Sequence, residues 1–406
     1  MSCSIRLGLM FSYREGWIGG SYYILNLISA LKRLEEQDRP DLTVFAFSDS
    51  ELDQVRALDY SGANYRVLHE PPPGPVFHLV NRVSSRLIGH PVKRPPAIQD
   101  DLDVVYPGGT HPRFRKIPNQ IFWIPDFQEE HLPEMFGQKR IQNRRRVRGR
   151  IAREAKHIVF SSKDAANDFQ RFYPRSEAIR HVLNFAVTHP DYQQVDIDAL
   201  RQKYQLGNLP FFLVSNQFWK HKNHRVVIEA MNLMSVQAAK QRFLVCFSGK
   251  EEDARNPGYA GEIRGLVKQY QLEESVRFLG FMERLDQLRL MKESIAVVQP
   301  SLFEGWSTVI EDAKALSVPI IASDLPVHFE QLGNHGTYFS KNDPEDLAKR
   351  MQDRFDGDLP RNETLVPYSE HVQAFGRQFV GILRAVVGRS LNDKDSDVIG
   401  PPQSST

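Results

Sequence analysis

Short β-rich apolar runs alternate with helix-length amphipathic segments along most of the 406 residues. That alternation is the pattern of parallel sheets covered by helices. In the first half the strand candidates are 5–11, 43–47, 103–106, 120–124 and 157–161. Between the first two, Ile24, Leu27, Ile28, Leu31 and Leu34 repeat at the helical period. A second series opens with Phe211-Phe212-Leu213-Val214-Ser215 and continues through 243–247, 276–279, 295–299, 319–322 and 337–339. Two doubly wound α/β domains are expected, with the ligand site in a cleft outside the carboxyl ends of the strands.

The expected domain spans are 1–190, a linker over 191–210, a second domain over 211–368 and a C-terminal helix over 369–390. The linker is expected from Pro190, Gln193, Gln194, Gly207 and Pro210 in a stretch with little strand character. Residues 70–96 hold seven prolines (Pro71, Pro72, Pro73, Pro75, Pro91, Pro95, Pro96) and read as an extended surface excursion. The polar stretch 391–406, with Gly400-Pro401-Pro402, reads as a disordered tail.

Composition removes several classes. With 52 Lys+Arg against 50 Asp+Glu the net charge is +2, so bulk nucleic-acid binding is not expected. A hydrophobic share of 41% and a charged share of 25% fit a globular chain that needs no disulfide or metal staple. The two cysteines, Cys3 and Cys246, stand in apolar strand-like runs and read as inert core residues. No apolar run approaches the roughly 18 residues that cross a bilayer, and the N-terminal apolar run is too short for a signal peptide. A cytoplasmic location is expected, peripheral to the inner face of a membrane if it touches one.

Chemistry is sought in the loops after strands. The loop from Ser12 to Ser21 carries Gly16, Gly19 and Gly20 ahead of the first helix. Glycines let a ligand approach the backbone, and the helix start favours an anion; the alternative is a tight turn with Ser21 as the cap. It is not G-x-G-x-x-G, which weakens a nicotinamide reading. After the strand 211–215 comes Asn216-Gln217-Phe218-Trp219-Lys220-His221-Lys222-Asn223-His224. Two lysines and two histidines there can present positive charge to a phosphate, or form a solvated basic loop.

Residues 300–324 are the most informative segment. A strand ends at Pro300, a turn holds Glu304 and Gly305, and a helix opens near Ser307 with Glu311 and Asp312 in its first turns. Carboxylates accept from sugar or ribose hydroxyls, while the N–H groups of a helix start take a diphosphate. Complementing the helix dipole would account for Glu311 and Asp312, at about 0.3–1 kcal/mol each, but not for Glu304, which precedes the helix.

At this segment the chain resembles the C-terminal half of the retaining GT-B glycosyltransferases of family 4, also called glycosyl transferases group 1. Their pattern is a Glu, seven residues, a second Glu, a small-residue helix and a Gly-x-Pro turn before an apolar strand. The stretch Val276-Arg277-Phe278-Leu279-Gly280-Phe281, then Leu288 and Pro300-Ser301, matches the family order, and the likeness spans most of residues 1–388. It implies a GT-B fold, two Rossmann-like domains facing across a cleft, with the acceptor on the first and a nucleotide-diphosphate sugar on the second. It implies that Glu304 contacts the donor sugar near the reacting carbon and that the amides around Ser307 and Thr308 meet the diphosphate; Gly305, Gln217 and Lys222, with Gly19 and Gly20 from the first loop, are the further donor-binding candidates. The family register puts Asp312 where the second Glu belongs; Glu311 is its rival. Asn216-Gln217 stands where the family has an Arg, which leaves Lys222 as the matched cation. Pro125 stands where a His precedes Asp126, so Asp126 is a candidate on the acceptor side or a turn residue.

The resemblance further implies a retaining glycosyltransferase acting on a glycan or lipid-linked acceptor, with the nucleotide sugar as a substrate and no cofactor; no Asp-x-Asp triplet occurs at an expected strand end, so no required metal is expected. The alternatives are a GT-B isomerase or phosphorylase, or a non-catalytic nucleotide-sugar-binding module. Separately, seven of twelve residues from Lys139 to Arg150 are basic (Lys139, Arg140, Arg144, Arg145, Arg146, Arg148, Arg150) and none is acidic. Such a run either meets an anionic membrane surface or is a solvated helix face, with Ile141, Val147 and Ile151 packing inward.

Overall fold

The computed structural model describes residues 4–13, 18–68, 97, 98, 100–109, 112–237, 242–253, 255–358 and 367–388. Cys3, residues 14–17, the proline-rich 70–96 stretch and the 391–406 tail lie outside the described residues. The chain forms two compact units, one of residues 1–12, 31–121 and 376–406, the other of 13–30 and 122–375.

In the first unit, β1 (Arg6–Met10), β2 (Asp41–Ala46), β3 (Asn64–Val67), β4 (Val104–Tyr106) and the start of β5 (Asn119–Ile124) are parallel. Their order is β3-β2-β1-β4-β5. The end of α1 (Ile18–Lys32) and α2 (Asp49–Arg56) belong to this unit. Ser48 caps α2, its hydroxyl accepting from the Glu51 N–H at 3.3 Å. Met10, Phe45, Leu68, Leu102, Val105 and Phe114 form its core. The C-terminal helix α13 (Tyr368–Val387) enters this unit at Gly376. There Phe379 lies 5.1 Å from the Tyr106 ring and Arg384 meets Asp38 at 2.6 Å.

The second unit holds the end of β5, then β6 (His157–Phe160) and β7 (Ile179–Val182) in the order β5-β6-β7. With them are α3 (Gln128–His131), α4 (Gln138–Glu154) and α5 (Lys163–Phe172). Residues 191–210, expected as a linker, lie in this unit and carry α6 (Ile197–Lys203). Next in the chain is a six-stranded parallel sheet: β8 (Phe211–Ser215), β9 (Leu244–Ser248), β10 (Val276–Gly280), β11 (Val297–Gln299), β12 (Ile320–Ser323) and β13 (Thr337–Phe339). The order is β10-β9-β8-β11-β12-β13. Six helices connect or flank these strands: α7 (His224–Gln237), α8 (Tyr259–Gln269), α9 (Arg284–Glu293), α10 (Thr308–Ala315), α11 (Pro326–Leu332) and α12 (Pro344–Asp356).

The run Phe211 to Ser215 is apolar on both faces because the sheet is covered on both. Side chains alternate across it. Phe212, Val214, Val245, Phe247 and Val298 enter one core cluster; Phe211, Leu213, Leu244, Cys246 and Val297 enter the other. Cys246 is wholly buried, and burial pushes its thiol up to about 12, as an inert core residue requires.

Strand order across the sheet reverses between β8 and β11, which pair through Leu213 and Val297. Their carboxyl ends therefore diverge into separate loops and open a crevice at that point. The loop after β9 is drawn in by Gly249, at φ +145°, where a Cβ would fall 2.2 Å from the Asn216 carbonyl oxygen. Only glycine fits that approach.

Every strand expected from sequence is present, with ends shifted by one or two residues. Two were not expected: β3 and β7, short and with no buried residue, end the strand orders and lack an apolar run. The alternative of a tight turn capped by Ser21 does not hold: Ser21 sits inside α1, whose described residues run from Ile18, and is buried.

Candidate active site

A cleft of about 1280 Å³ opens in the second unit over the crevice between β8 and β11. The loop after β8 forms a 3-10 turn, Lys220–Lys222, closed by Asn223 in the left-handed conformation at φ 54°. Asn223 holds it there by donating to the Lys341 carbonyl at 2.9 Å. Lys222 thereby reaches the loop after β11, where its Nζ donates to Glu304 Oε1 at 2.5 Å. Ser301 Oγ and Gln299 Nε2 donate to the same oxygen at 2.7 and 2.8 Å. Asn216 in turn donates to Gln299 Oε1 at 3.0 Å. The Glu304 side chain is 9% exposed and that of Lys222 13%. Burial pushes the Glu304 carboxyl up, but Lys222 and the Ser301 hydroxyl outweigh it and hold it below the usual range. Glu304 is thus a carboxylate fixed by one ammonium and two neutral donors.

Gly305 packs against the end of the loop after β5. A Cβ there would lie 2.6 Å from the Pro125 carbonyl oxygen and 2.8 Å from the Asp126 Cβ. The absence of a side chain at 305 is what lets Asp126 share a cleft wall with Glu304. Asp126 Oδ1 accepts from the Gln128 N–H at 3.2 Å, so it also shapes the turn into α3. His131, at the end of α3, pairs with Asp168 at 2.5 Å and lies 5.1 Å from the Phe303 ring.

Ser307 caps α10, its hydroxyl accepting from the Ile310 N–H at 3.3 Å. Its own N–H donates to Gln331 at 2.9 Å, so the helix-start amides left to face the cleft begin at Thr308. Gly19 and Gly20, in the first turn of α1, line the same cleft, and a Cβ on Gly19 would stand 4.0 Å from Thr308 Oγ1. Two helix N-termini with their partial positive charge therefore meet beside Glu304. Gln217 completes the wall next to Lys222.

The two acidic residues of α10 point different ways, as residues about 100° apart on a helix must. Asp312 lines the cleft, where Arg284 donates to its two oxygens at 2.7 and 2.5 Å and His189 meets it at 2.9 Å. Burial pushes the Asp312 carboxyl up, and Arg284 more than offsets this to hold it low. Glu311 turns into the interior, where it accepts from Tyr368 at 2.6 Å, Lys314 at 3.0 Å and Gln331 at 3.1 Å.

Sequence reasoning missed Arg284, His189 and Gly249. Arg284 was findable, because it opens the helix that follows a strand, four residues beyond Gly280. One expectation is corrected: His221 and His224 bring no charge to a phosphate. Both are buried, and burial pushes His221 well below its ordinary value and His224 down to about 3. His224 stacks on Phe218 at 4.3 Å as part of the α7 packing.

Residues 196–371 match the family described as Glycosyl transferases group 1. The O-antigen chain mannosyltransferase RfbU of Salmonella typhimurium is 26% identical over 234 residues, 58% of this chain and 60% of that protein. The O-antigen chain mannosyltransferase B of Escherichia coli is 21% identical over 266 residues, 64% of this chain and 68% of that protein. The chain thus spans between about three fifths and two thirds of the length of these curated relatives. A solved glycosyltransferase from Rickettsia africae superposes with a TM-score of 0.63 at 14% identity, covering 95% of this chain and all of that one. Anabaena HepE, solved with UDP and glucose, gives 0.63 at 17% identity, covering 94% and 98%. The class is therefore a GT-B protein, built of two Rossmann-like α/β domains. Within it, residues 196–371 are the part that matches the glycosyl transferases group 1 family.

The buried histidines set an acid limit on this fold. Below pH about 6.5 the unfolded chain protonates His224 while the folded one, at about 3, does not, so stability falls as pH falls. From pH 7 to 5.5 that costs about 1.3 kcal/mol. Denaturant unfolding at both pH values is expected to show the loss shrink by about that amount in His224→Phe; an unchanged loss would mean that His224 is already charged in the fold.

Proposed function

We propose that this chain is a retaining glycosyltransferase that moves a sugar from a nucleotide-diphosphate sugar to a hydroxyl acceptor in polysaccharide or glycolipid assembly. The observation that carries this reading is the buried Lys222–Glu304 pair beside the start of α10. The group 1 domain, the O-antigen mannosyltransferase relatives and the UDP and glucose bound to HepE all support it.

In this reading the nucleotide lies on the second domain and the acceptor on the first. The bond between the anomeric carbon and the diphosphate oxygen breaks, and the electron pair stays on that oxygen. Lys222 and the α10 amides from Thr308 onward meet the charge that develops there. Gly19 and Gly20 let the backbone of α1 approach the same diphosphate. Glu304 turns from Lys222 to the sugar hydroxyls near the reacting carbon as the donor enters. Asp126 orients the acceptor hydroxyl, whose proton passes to the departing phosphoryl oxygen. Asp312 takes the ribose hydroxyls, with Arg284 and His189 holding it in place.

A thermal-shift panel of nucleotide sugars selects the donor, since a ligand at 100 times its Kd adds about 2.7 kcal/mol of stability. Glu304→Ala is then expected to lower transfer by at least about a hundredfold. Wild-type turnover in Glu304→Ala would contradict the assignment, and conversion of the nucleotide sugar without an acceptor would point to an isomerase.

The two carboxylates of α10 separate by calorimetry. Asp312→Asn is expected to weaken donor binding by about tenfold, the loss of one charged hydrogen bond. Glu311→Gln is expected to lower the unfolding midpoint while changing donor affinity less than about twofold. The reverse order of affinities would assign the ribose to Glu311.

A further inference from the structure

The basic run from Lys139 to Arg150 folds as α4, and its charges divide between two faces. Residues four apart share a helix face, so Arg140, Arg144 and Arg148 align, and all three line the cleft. Lys139 and Arg146 are exposed, Arg145 pairs with Glu130 at 2.5 Å, and Arg150 lies 4.0 Å from Glu154.

The three cleft arginines are unequally engaged. Arg148 is buried, bound to Glu129 and donating to the Asp126 carbonyl at 2.6 Å. Arg144 gives one nitrogen to Glu129 at 2.8 Å. Arg140 has no ion pair or side-chain hydrogen bond among the described residues; its guanidinium rests 5.6 Å from the centre of the Phe136 ring. A fourth arginine arrives from the loop after β9. Arg255 pairs with Asp253 at 2.9 Å and lies 5.8 Å from the same Phe136 ring and 4.9 Å from Trp219. Arg144 is 5.2 Å from that ring.

Three guanidiniums thus surround one buried phenyl ring at the cleft wall. Although Arg140 is exposed as a residue, partial burial of its guanidinium and repulsion from Arg144 and Arg255 weaken its hold on its proton. The carboxylates within reach are taken, Glu129 by two arginines and Asp253 by Arg255, with Asp126 3.8 Å from Arg148. The cluster therefore carries one guanidinium more than it has carboxylates, and the excess sits on Arg140. Like charges gathered this way are relieved by an anion that accepts from several forks at once. A phosphoryl group has three terminal oxygens for that purpose and a carboxylate only two. The donor diphosphate has its own partners in Lys222 and the α10 start, which leaves this cluster for the other substrate.

We propose that Arg140, with Arg144 and Arg255, forms a phosphoryl-binding site for the acceptor, so that the acceptor is a phosphate or diphosphate ester. The assignment to the acceptor rests on the glycosyltransferase reading; the anion site itself does not.

Inorganic pyrophosphate titrated calorimetrically into the full-length protein is expected to find two sites. Arg140→Gln, a change at an exposed residue, weakens one site by about tenfold and leaves nucleotide binding as in wild type; Lys222→Gln weakens the other. Arg140→Lys keeps the charge without the fork and recovers part of the affinity. Equal pyrophosphate affinities in wild type and Arg140→Gln would overturn the site. If no nucleotide sugar binds while pyrophosphate binding still depends on Arg140, the transferase reading fails and the phosphoryl site stands. Farnesyl diphosphate and glucose 1-phosphate then compete against pyrophosphate: displacement by the first assigns a lipid-linked acceptor, by the second a sugar phosphate. Displacement by neither, or equally by glucuronate, overturns the phosphoryl assignment.

Discussion

The cleft depends on one buried contact, the Lys222 ammonium against the Glu304 carboxylate. Taking two charges out of water costs several kcal/mol per ion, so the pair persists only where further donors complete the carboxylate. Ser301, Gln299 and, behind it, Asn216 supply them. These residues lie at or just beyond the carboxyl ends of two strands adjacent in space and distant in sequence, β8 and β11, at the point where strand order reverses. Sheet topology thus fixes where the pair can form, and the pair fixes the direction in which both loops present their side chains. Gly249 and Gly305 matter for the same reason: each removes a Cβ that would strike a neighbouring backbone and push a cleft loop away.

Much of this was legible in the sequence because the relevant signals are local. A parallel strand buried on both faces reads as a continuous apolar run, and Phe211 to Ser215 is one. The edge strands β3 and β7 were invisible because an edge needs no such run; Asn64-Tyr65-Arg66-Val67 and Ile179-Arg180-His181-Val182 are half polar. Glu304 stood out because a carboxylate before a helix start has no dipole to explain it. Lys222 stood out as a cation in a loop beyond a strand.

Direction was harder to read than position. The family register favoured Asp312 and kept Glu311 as its rival, yet no spacing shows where either side chain points: one residue along a helix turns the side chain by about 100° and sends one carboxylate to Tyr368 and the other to the cleft. The histidines at 221 and 224 looked like charge donors beside the lysines until burial showed them neutral. In α4 the run of seven basic residues looked uniform, but helical spacing turns three of its arginines into the cleft. Partners such as Arg284 and His189 lie 28 and 123 residues from Asp312, a separation that no local pattern encodes.

The central claim, that Lys222 and Glu304 act as one unit in handling the donor, is tested most directly by a double-mutant cycle. Turnover of the selected nucleotide sugar is measured in wild type, Lys222→Met, Glu304→Gln and the double variant. Residues in direct contact couple by about 0.5–3 kcal/mol. The account predicts that the double variant loses far less kcat/KM than the product of the two single losses, a coupling of about 1.5 kcal/mol or more. Losses that multiply to within about 0.5 kcal/mol would show that the two residues act independently and would contradict it.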